Sequence, residues 1–240
     1  MGAFSCGLGL ALRAPSMPFD PASLFKGTAG AFYDIRPGNV ARDLAGAIPA
    51  GTGDTVGRLF DRSGNGNDAG QASGAARPVL GVENGCYYLE FDGIDDKLSA
   101  GFSLPQPFER ISVIRQIGWT AGEPVLGGFA SAVSSLIQAP TSPSLQLNSG
   151  PATNAAAIGT TVVVTEHFEG SASWISVNGV APTIGDGGIA AADGISLGAR
   201  HASSFANVRI YGLLMIGRAL SPVERTQVQT WAATKGRVSL

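Results

Sequence analysis

Residues 61–71 read DRSGNGNDAGQ, and whether this stretch is a metal loop or a turn decides how the surrounding chain is read. A calcium loop between two helices takes oxygen ligands at its first, third and fifth positions and glycine at its sixth. Asp61, Ser63, Asn65 and Gly66 fill those places. The count then fails. The ninth position is Ala69, which offers no side-chain ligand, and the twelfth, where a bidentate Glu belongs, is Ala72. The preceding TVGRLF (55–60) reads as extended chain rather than helix. The stretch is therefore a glycine-permitted turn in which Asp61, Ser63 and Asn65 bond backbone groups and Gln71 opens the next strand. Asp61, Ser63, Asn65 and Asn67 form its oxygen-rich tip, a candidate loop for a cation or a sugar hydroxyl.

Such a turn implies strands on either side, and the chain repeats that pattern. YYLEF (87–91), RISVIRQIGW (110–119), SLQLN (144–148), TTVVVTEHF (160–168), SWISVN (173–178), GISLGA (194–199) and NVRIYGLLMIG (207–217) are rich in β-branched or aromatic residues. Gly, Pro, Asn and Asp separate them, which is the signature of strands. Alternation puts Tyr87, Leu89 and Phe91 on one face and Tyr88 and Glu90 on the other. It also puts Trp174, Ser176 and Asn178 opposite Ser173, Ile175 and Val177, the latter being the core-facing set. Asn178-Gly179 is a type I′ hairpin signal, because both residues tolerate positive φ. Short strands at spacings of about ten residues with no helices between them predict a sandwich or barrel rather than a parallel α/β sheet.

One helix is marked, in SPVERTQVQTWAATKG (221–236). Ser221 is its N-cap, Pro222 its first residue, and Glu224 completes a capping box. Val223, Val228 and Trp231 are the expected apolar anchors, and Gly236 the stop signal.

At 240 residues the chain suits a single all-β domain. Charged residues are only 14% and the net charge is −2, so no electrostatic case exists for nucleic acid or an anionic membrane. No apolar run is long enough to span a bilayer. Cys6 and Cys86 make no disulfide framework, which is consistent with assembly in a reducing cytoplasm.

These pieces resemble a family when taken in order. VGRLFDRSGNGNDAGQ (56–71), ARPVL (76–80), YLEFDGIDDKL (88–98), ISVNGV (175–180), ISLGAR (195–200) and GRALSPVE (217–224) resemble laminin-G-like, concanavalin A-type lectin domains, over residues 29–236. FDPASLFKGTAGAFYDI (19–35) resembles the version found in bacteriophage and prophage virion proteins, tail-fibre or decoration. The resemblance implies an all-β, two-sheet antiparallel jelly-roll sandwich at 29–240, with a helix at about 221–235 and an N-terminal attachment arm at 1–28. The arm's apolar residues are Phe4, Leu8, Leu10, Leu12 and Phe19. The expected role is a non-enzymatic virion structural protein, on the particle surface and assembled in the host cytoplasm. Its expected partners are other virion proteins, further copies of itself in a homo-oligomer such as a trimer, and a host-surface glycan. The alternatives are a tail-fibre tip adhesin or cell-surface lectin, with a glycosidase ranked below them.

Catalysis ranks low because carboxylate templates fail along each single strand. A retaining glycosidase needs two carboxylates about 5 Å apart, and Glu90 with Asp92 is the nearest pattern on one strand face. Glu166 and Glu169 are three apart, and G-x-S-x-G is absent. Asp92, Asp95 and Asp96 around Gly93 form either an Asx-type turn or a calcium site; no other cofactor is called for. Trp174 and Tyr88 are the candidate glycan-stacking aromatics.

Overall fold

The alternating runs become antiparallel strands that pair in two large sheets. The fold is seen in a computed structural model describing residues 19–148, 150–153, 155–200 and 203–240. Phe4, Leu8, Leu10 and Leu12 of the expected arm lie outside the described residues. One sheet has eight strands, ordered Thr183–Ile184, Trp174–Val177, Thr161–Phe168, Phe108–Gln116, Asn207–Ile216, Cys86–Asp92 and Val79–Glu83, with Gly30–Asp34 also paired to Asn207–Ile216. The other has nine, centred on Pro124–Gly127, Ala192–Leu197 and Leu98–Leu104. All pairings within them are antiparallel. The fold is thus the all-β jelly-roll sandwich expected, closed by one C-terminal helix.

Period-two alternation divides the eight-stranded sheet into two apolar layers. Leu89, Phe91, Phe108, Ile114, Val162, Val164, Phe168, Ile175 and Val177 face the nine-stranded sheet and join the main core. Ile111, Val113, Val163, Tyr211, Leu214 and Ile216 point outward, where the helix Pro222–Gly236 covers them. Hydrophobic burial on both faces explains why these central strands read as nearly continuous apolar runs.

The helix begins as its sequence dictates. Ser221 Oγ accepts from the Glu224 N–H, and the Glu224 carboxylate accepts from the Ser221 N–H at 2.9 Å. Ser221→Ala is expected to cost about 1 kcal/mol, read as a lower urea midpoint with unchanged slope. Two expectations about the helix need correcting. Val223 is 69% exposed, and Val228 and Ala232 are the buried anchors, with Trp231 beside them. Gly236 is the last helical residue, and the left-handed cap is Arg237 at φ 52°. Glycine stands at 236 for another reason. A Cβ there would lie 2.6 Å from Thr161 Cγ2 and 2.7 Å from Val113 Cγ1, so its absence lets the helix settle onto the sheet.

The main core also holds charge. Arg110 and Glu166 are register partners on adjacent strands, and both side chains are fully buried. Arg110 donates from Nε to Glu166 Oε2 at 2.7 Å and from Nη2 to Oε1 at 2.6 Å, while Nη1 donates to the Ser134 carbonyl at 2.7 Å. The fork geometry satisfies both carboxylate oxygens, which is the condition for burying such a pair.

Candidate functional site

The loop at 61–71 is a structural knot. Asp61 Oδ1 accepts from the Phe32 and Ser63 N–H groups at 2.9 and 2.8 Å; Oδ2 accepts from Ser63 Oγ and the Asn67 N–H at 2.7 and 3.0 Å. Asn65 and Asn67 both donate to the Gly30 carbonyl. Tyr33, fully buried, donates its hydroxyl to the Asn67 carbonyl at 2.6 Å. Burial, then the nearby Asp61 and Asp68 carboxylates, push the Tyr33 phenol well above its ordinary value. The oxygen-rich tip is thus directed inward onto the strand Gly30–Asp34. The following strand is Ala69–Gly70, so Gln71 comes just after it rather than opening it.

Asp92, Asp95 and Asp96 converge, with ligand oxygens within 4.8 Å of one another. Asp92 Oδ1 accepts from the Ile94 N–H at 2.8 Å, and the buried Asp96 accepts from the Asp92 N–H at 3.1 Å. These are the bonds of an Asx-type turn. Burial, opposed by the Asp92 N–H and reinforced by the Asp92 and Asp95 charges, raises Asp96 to about 6. A calcium ion would need several further oxygens beyond these carboxylates.

Tyr88 is 9% exposed. Its ring lies against Gly81, where a Cβ would approach to 2.3 Å, and the Arg209 guanidinium sits 4.4 Å from its centroid. Little of the ring is left for a sugar.

Trp174 is placed differently, and strand register explains how. On the outer face of the eight-stranded sheet, Glu109, His167 and Trp174 stand directly opposite one another on three adjacent strands. His167 stacks on the indole at 5.5 Å between centroids, 13° from parallel. The helix adds Arg225, whose guanidinium is 5.1 Å from the indole centroid, and Gln229 one turn later. Trp174, Ser176, Gly179, Val180, Pro182, Arg225 and Gln229 enclose a cleft of about 350 Å³. Its rim is the turn at Asn178 (φ 51°) and Gly179 (φ 72°), closed by Val180 N–H to the Val177 carbonyl at 3.1 Å. The ladder resumes only at Ile175 opposite Thr183, so the loop is wider than a two-residue hairpin.

Glu109 organises the cleft from beneath. It is fully buried and accepts four bonds: from Arg225 Nε (3.0 Å) and Nη2 (2.6 Å), the Leu220 N–H (3.2 Å), and His167 Nδ1 (3.2 Å). Burial alone would raise its carboxyl, but the bonds from His167 and Arg225 outweigh it and hold the group lowered. The bond to Glu109 raises His167; burial opposes it, and Glu169, 2.9 Å from Nε2, adds to the rise. Composition and spacing gave no sign of this cluster, since Glu109 and His167 are 58 residues apart and Glu109 and Arg225 are 116 apart. One signal was available: Arg225 and Gln229 are spaced i, i+4 on a capped helix and so share a face.

A larger cleft of about 470 Å³ lies at another part of the helix, lined by residues including Phe19, Phe32, Asp34, Arg36 and Trp231. Trp231 there packs edge-on against Phe32 at 5.0 Å.

No family model matches the chain, and no curated protein matches its sequence. Solved structures do match. A Trypanosoma rangeli sialidase in complex with sialic acid is 14% identical with a TM-score of 0.56, over 88% of this chain and 34% of the sialidase. Domain 4 of a GH43 extracellular arabinanase from Geobacillus stearothermophilus, in complex with arabinotriose, is 14% identical with a TM-score of 0.52, over 72% of this chain and 91% of that domain. An arabinofuranosidase complexed with arabinofuranosyl-alpha-1,2-xylobiose is 11% identical with a TM-score of 0.61, over 91% of this chain and 65% of that one. The chain thus spans about a third of the sialidase's length. At these identities the likeness establishes the fold, a concanavalin A-type sandwich. It also corrects two expectations. The sandwich is one that glycosidases contain, so it does not mark a non-enzymatic virion structural protein, and nothing in these neighbours points to a phage. The expectation that the chain is not an enzyme does not stand either, because these solved structures of the same fold are glycosidases or a domain of one.

Proposed function

We propose that the chain is the glycan-holding β-sandwich of a carbohydrate-active enzyme and that the cleft beside Trp174 receives the sugar. The observation that carries this reading is the composition of the cleft, in which a part-buried indole stands beside planar polar side chains, Arg225 and Gln229, in about 350 Å³. Sugar sites combine those two ingredients: an aromatic wall for the C–H faces of the ring and fixed hydrogen-bonding groups for its hydroxyls. The volume falls within the range of small-molecule pockets. Supporting it, the arabinanase domain of the same fold is described in complex with arabinotriose.

A glycan array followed by titration calorimetry tests the reading. The wild type is expected to bind at least one oligosaccharide, and Trp174→Ala to weaken that binding at least tenfold, which is about 1.4 kcal/mol. Unchanged melting of the variant would confirm that only the cleft is altered. Equal affinity in wild type and Trp174→Ala would place the sugar elsewhere. Release of reducing ends in the same samples reports whether the chain also cleaves what it holds.

A further inference from the structure

Resting on that reading, we infer that the Trp174 cleft takes an uncharged glycan, a neutral pentose or hexose oligosaccharide, and discriminates against sialic-acid and uronic-acid sugars. The fold neighbours leave this open, because one is complexed with sialic acid and another with arabinotriose.

The argument starts from the donors and acceptors that are not already used. Arg225 commits Nε to Glu109 Oε2, and Nη2 to Glu109 Oε1 and to the Leu220 carbonyl at 2.9 Å. Among the described residues, Nη1 has no hydrogen-bond partner, so its two N–H groups remain for a ligand. Gln229 donates from Nε2 to Thr165 Oγ1 at 2.9 Å, which fixes the amide and leaves Oε1 as an acceptor. Ser176 donates its hydroxyl to the Val180 carbonyl at 2.6 Å, leaving its oxygen lone pairs. The cleft therefore offers a mixed set of donors and acceptors. Sugar hydroxyls, which donate and accept, satisfy such a set; a carboxylate only accepts and cannot use Gln229 Oε1 or Ser176 Oγ.

Charge points the same way. Arg225 would attract an anion if it stood alone, but the fully buried Glu109 lies against it as a fork-bound counter-ion. Next in the row is His167, held toward its protonated form between Glu109 and Glu169. The Arg225 charge is thus already matched by Glu109, and His167 lies between two carboxylates. Glu169, 2.9 Å from His167 Nε2, is the most exposed of the four, with its side chain 55% accessible, so the exposed end of this row is negative. An acidic sugar would gain no net attraction here, whereas a neutral sugar loses nothing.

Titration calorimetry with four probes, the neutral arabinotriose and xylotriose and the acidic 3′-sialyllactose and trigalacturonic acid, tests the inference. At least one neutral trisaccharide is expected to bind at least tenfold more tightly than either acidic one. Gln229→Ala is expected to weaken the neutral ligand at least fivefold. Alanine is the better helix former, so this variant should fold. Arg225→Lys keeps the charge and removes the second arm of the fork, and should weaken the neutral ligand at least tenfold. Acidic probes binding as tightly as neutral ones, with the binding lost in Trp174→Ala, would overturn the inference and leave the cleft as the sugar site. Neutral binding that Gln229→Ala does not change would overturn the assignment of its contacts. Absence of binding by all four probes and by the wider array would overturn the reading of the cleft itself, and this inference with it.

Discussion

Arg110→Met is expected to destabilise the chain by about 3–5 kcal/mol, the usual cost of leaving a buried charge without its partner. Glu166 would then be fully enclosed between the sheets with two carboxylate oxygens unbonded, and the Ser134 carbonyl would lose its donor. The size of the effect comes from the stranded Glu166 rather than from the attraction lost. The double variant Arg110→Met with Glu166→Leu removes both charges and is expected to recover most of the loss, since well-packed apolar pairs commonly match or exceed buried ion pairs. Urea unfolding of the two variants is the measurement. A single variant within 1 kcal/mol of wild type would show that the pair is hydrated and not enclosed.

Glu109→Ala is expected to cost about 3 kcal/mol, at the lower end of the same range because Arg225, 24% exposed, can turn toward water. Its second effect is on pH dependence. His167 is raised above its ordinary 6.5 by Glu109 first, with Glu169 adding. A base with a raised pKa in the folded state contributes stability that is complete below its unfolded pKa and is lost as pH rises through the folded value. Glu109 is lowered in the folded state, so its share is present above the ordinary carboxylate pKa and lost as pH falls through the folded one. The shares of Glu109 and His167 together should therefore peak between the carboxylate range and neutrality and decline across the His167 titration. In Glu109→Ala the decline on the alkaline side should shrink. Denaturation midpoints from pH 4 to 9 for both proteins would show it. Parallel curves would mean that His167 does not draw its protonation from Glu109.

Much of the sandwich was legible because the hydrophobic period is local. In YYLEF the alternation alone grouped Tyr87, Leu89 and Phe91 on one face, and in the structure Leu89 and Phe91 of that face are core residues with Tyr87 packed beside them. The helix was legible because Ser221, Pro222 and Glu224 make a cap within four residues. Val223 was misassigned because an apolar residue in the first turn of a helix carries no information about which face meets the sheet; that face is set by Val228 and Ala232. Trp174 was correctly separated from the Ile175 and Val177 face, again by alternation. The rest of the cleft was not legible, because it is made by register. A one-residue slip of Thr161–Phe168 would set Glu166 rather than His167 opposite Trp174 and turn the buried charge outward. Nothing within either strand states that register. Spacing along one strand is silent on catalysis for the same reason, since side chains on neighbouring strands meet without any spacing in sequence.

The most direct test of the glycan-holding cleft uses the three tryptophans, Trp119, Trp174 and Trp231, as reporters. In a ¹H–¹⁵N correlation spectrum each indole N–H gives its own signal, assigned by single substitution. Titration with the best neutral trisaccharide is predicted to shift the Trp174 indole signal in a saturable way while those of Trp119 and Trp231 stay in place. A saturable shift of Trp231 or Trp119 with Trp174 unmoved, or no shift in any of the three with every glycan tried, would contradict the account.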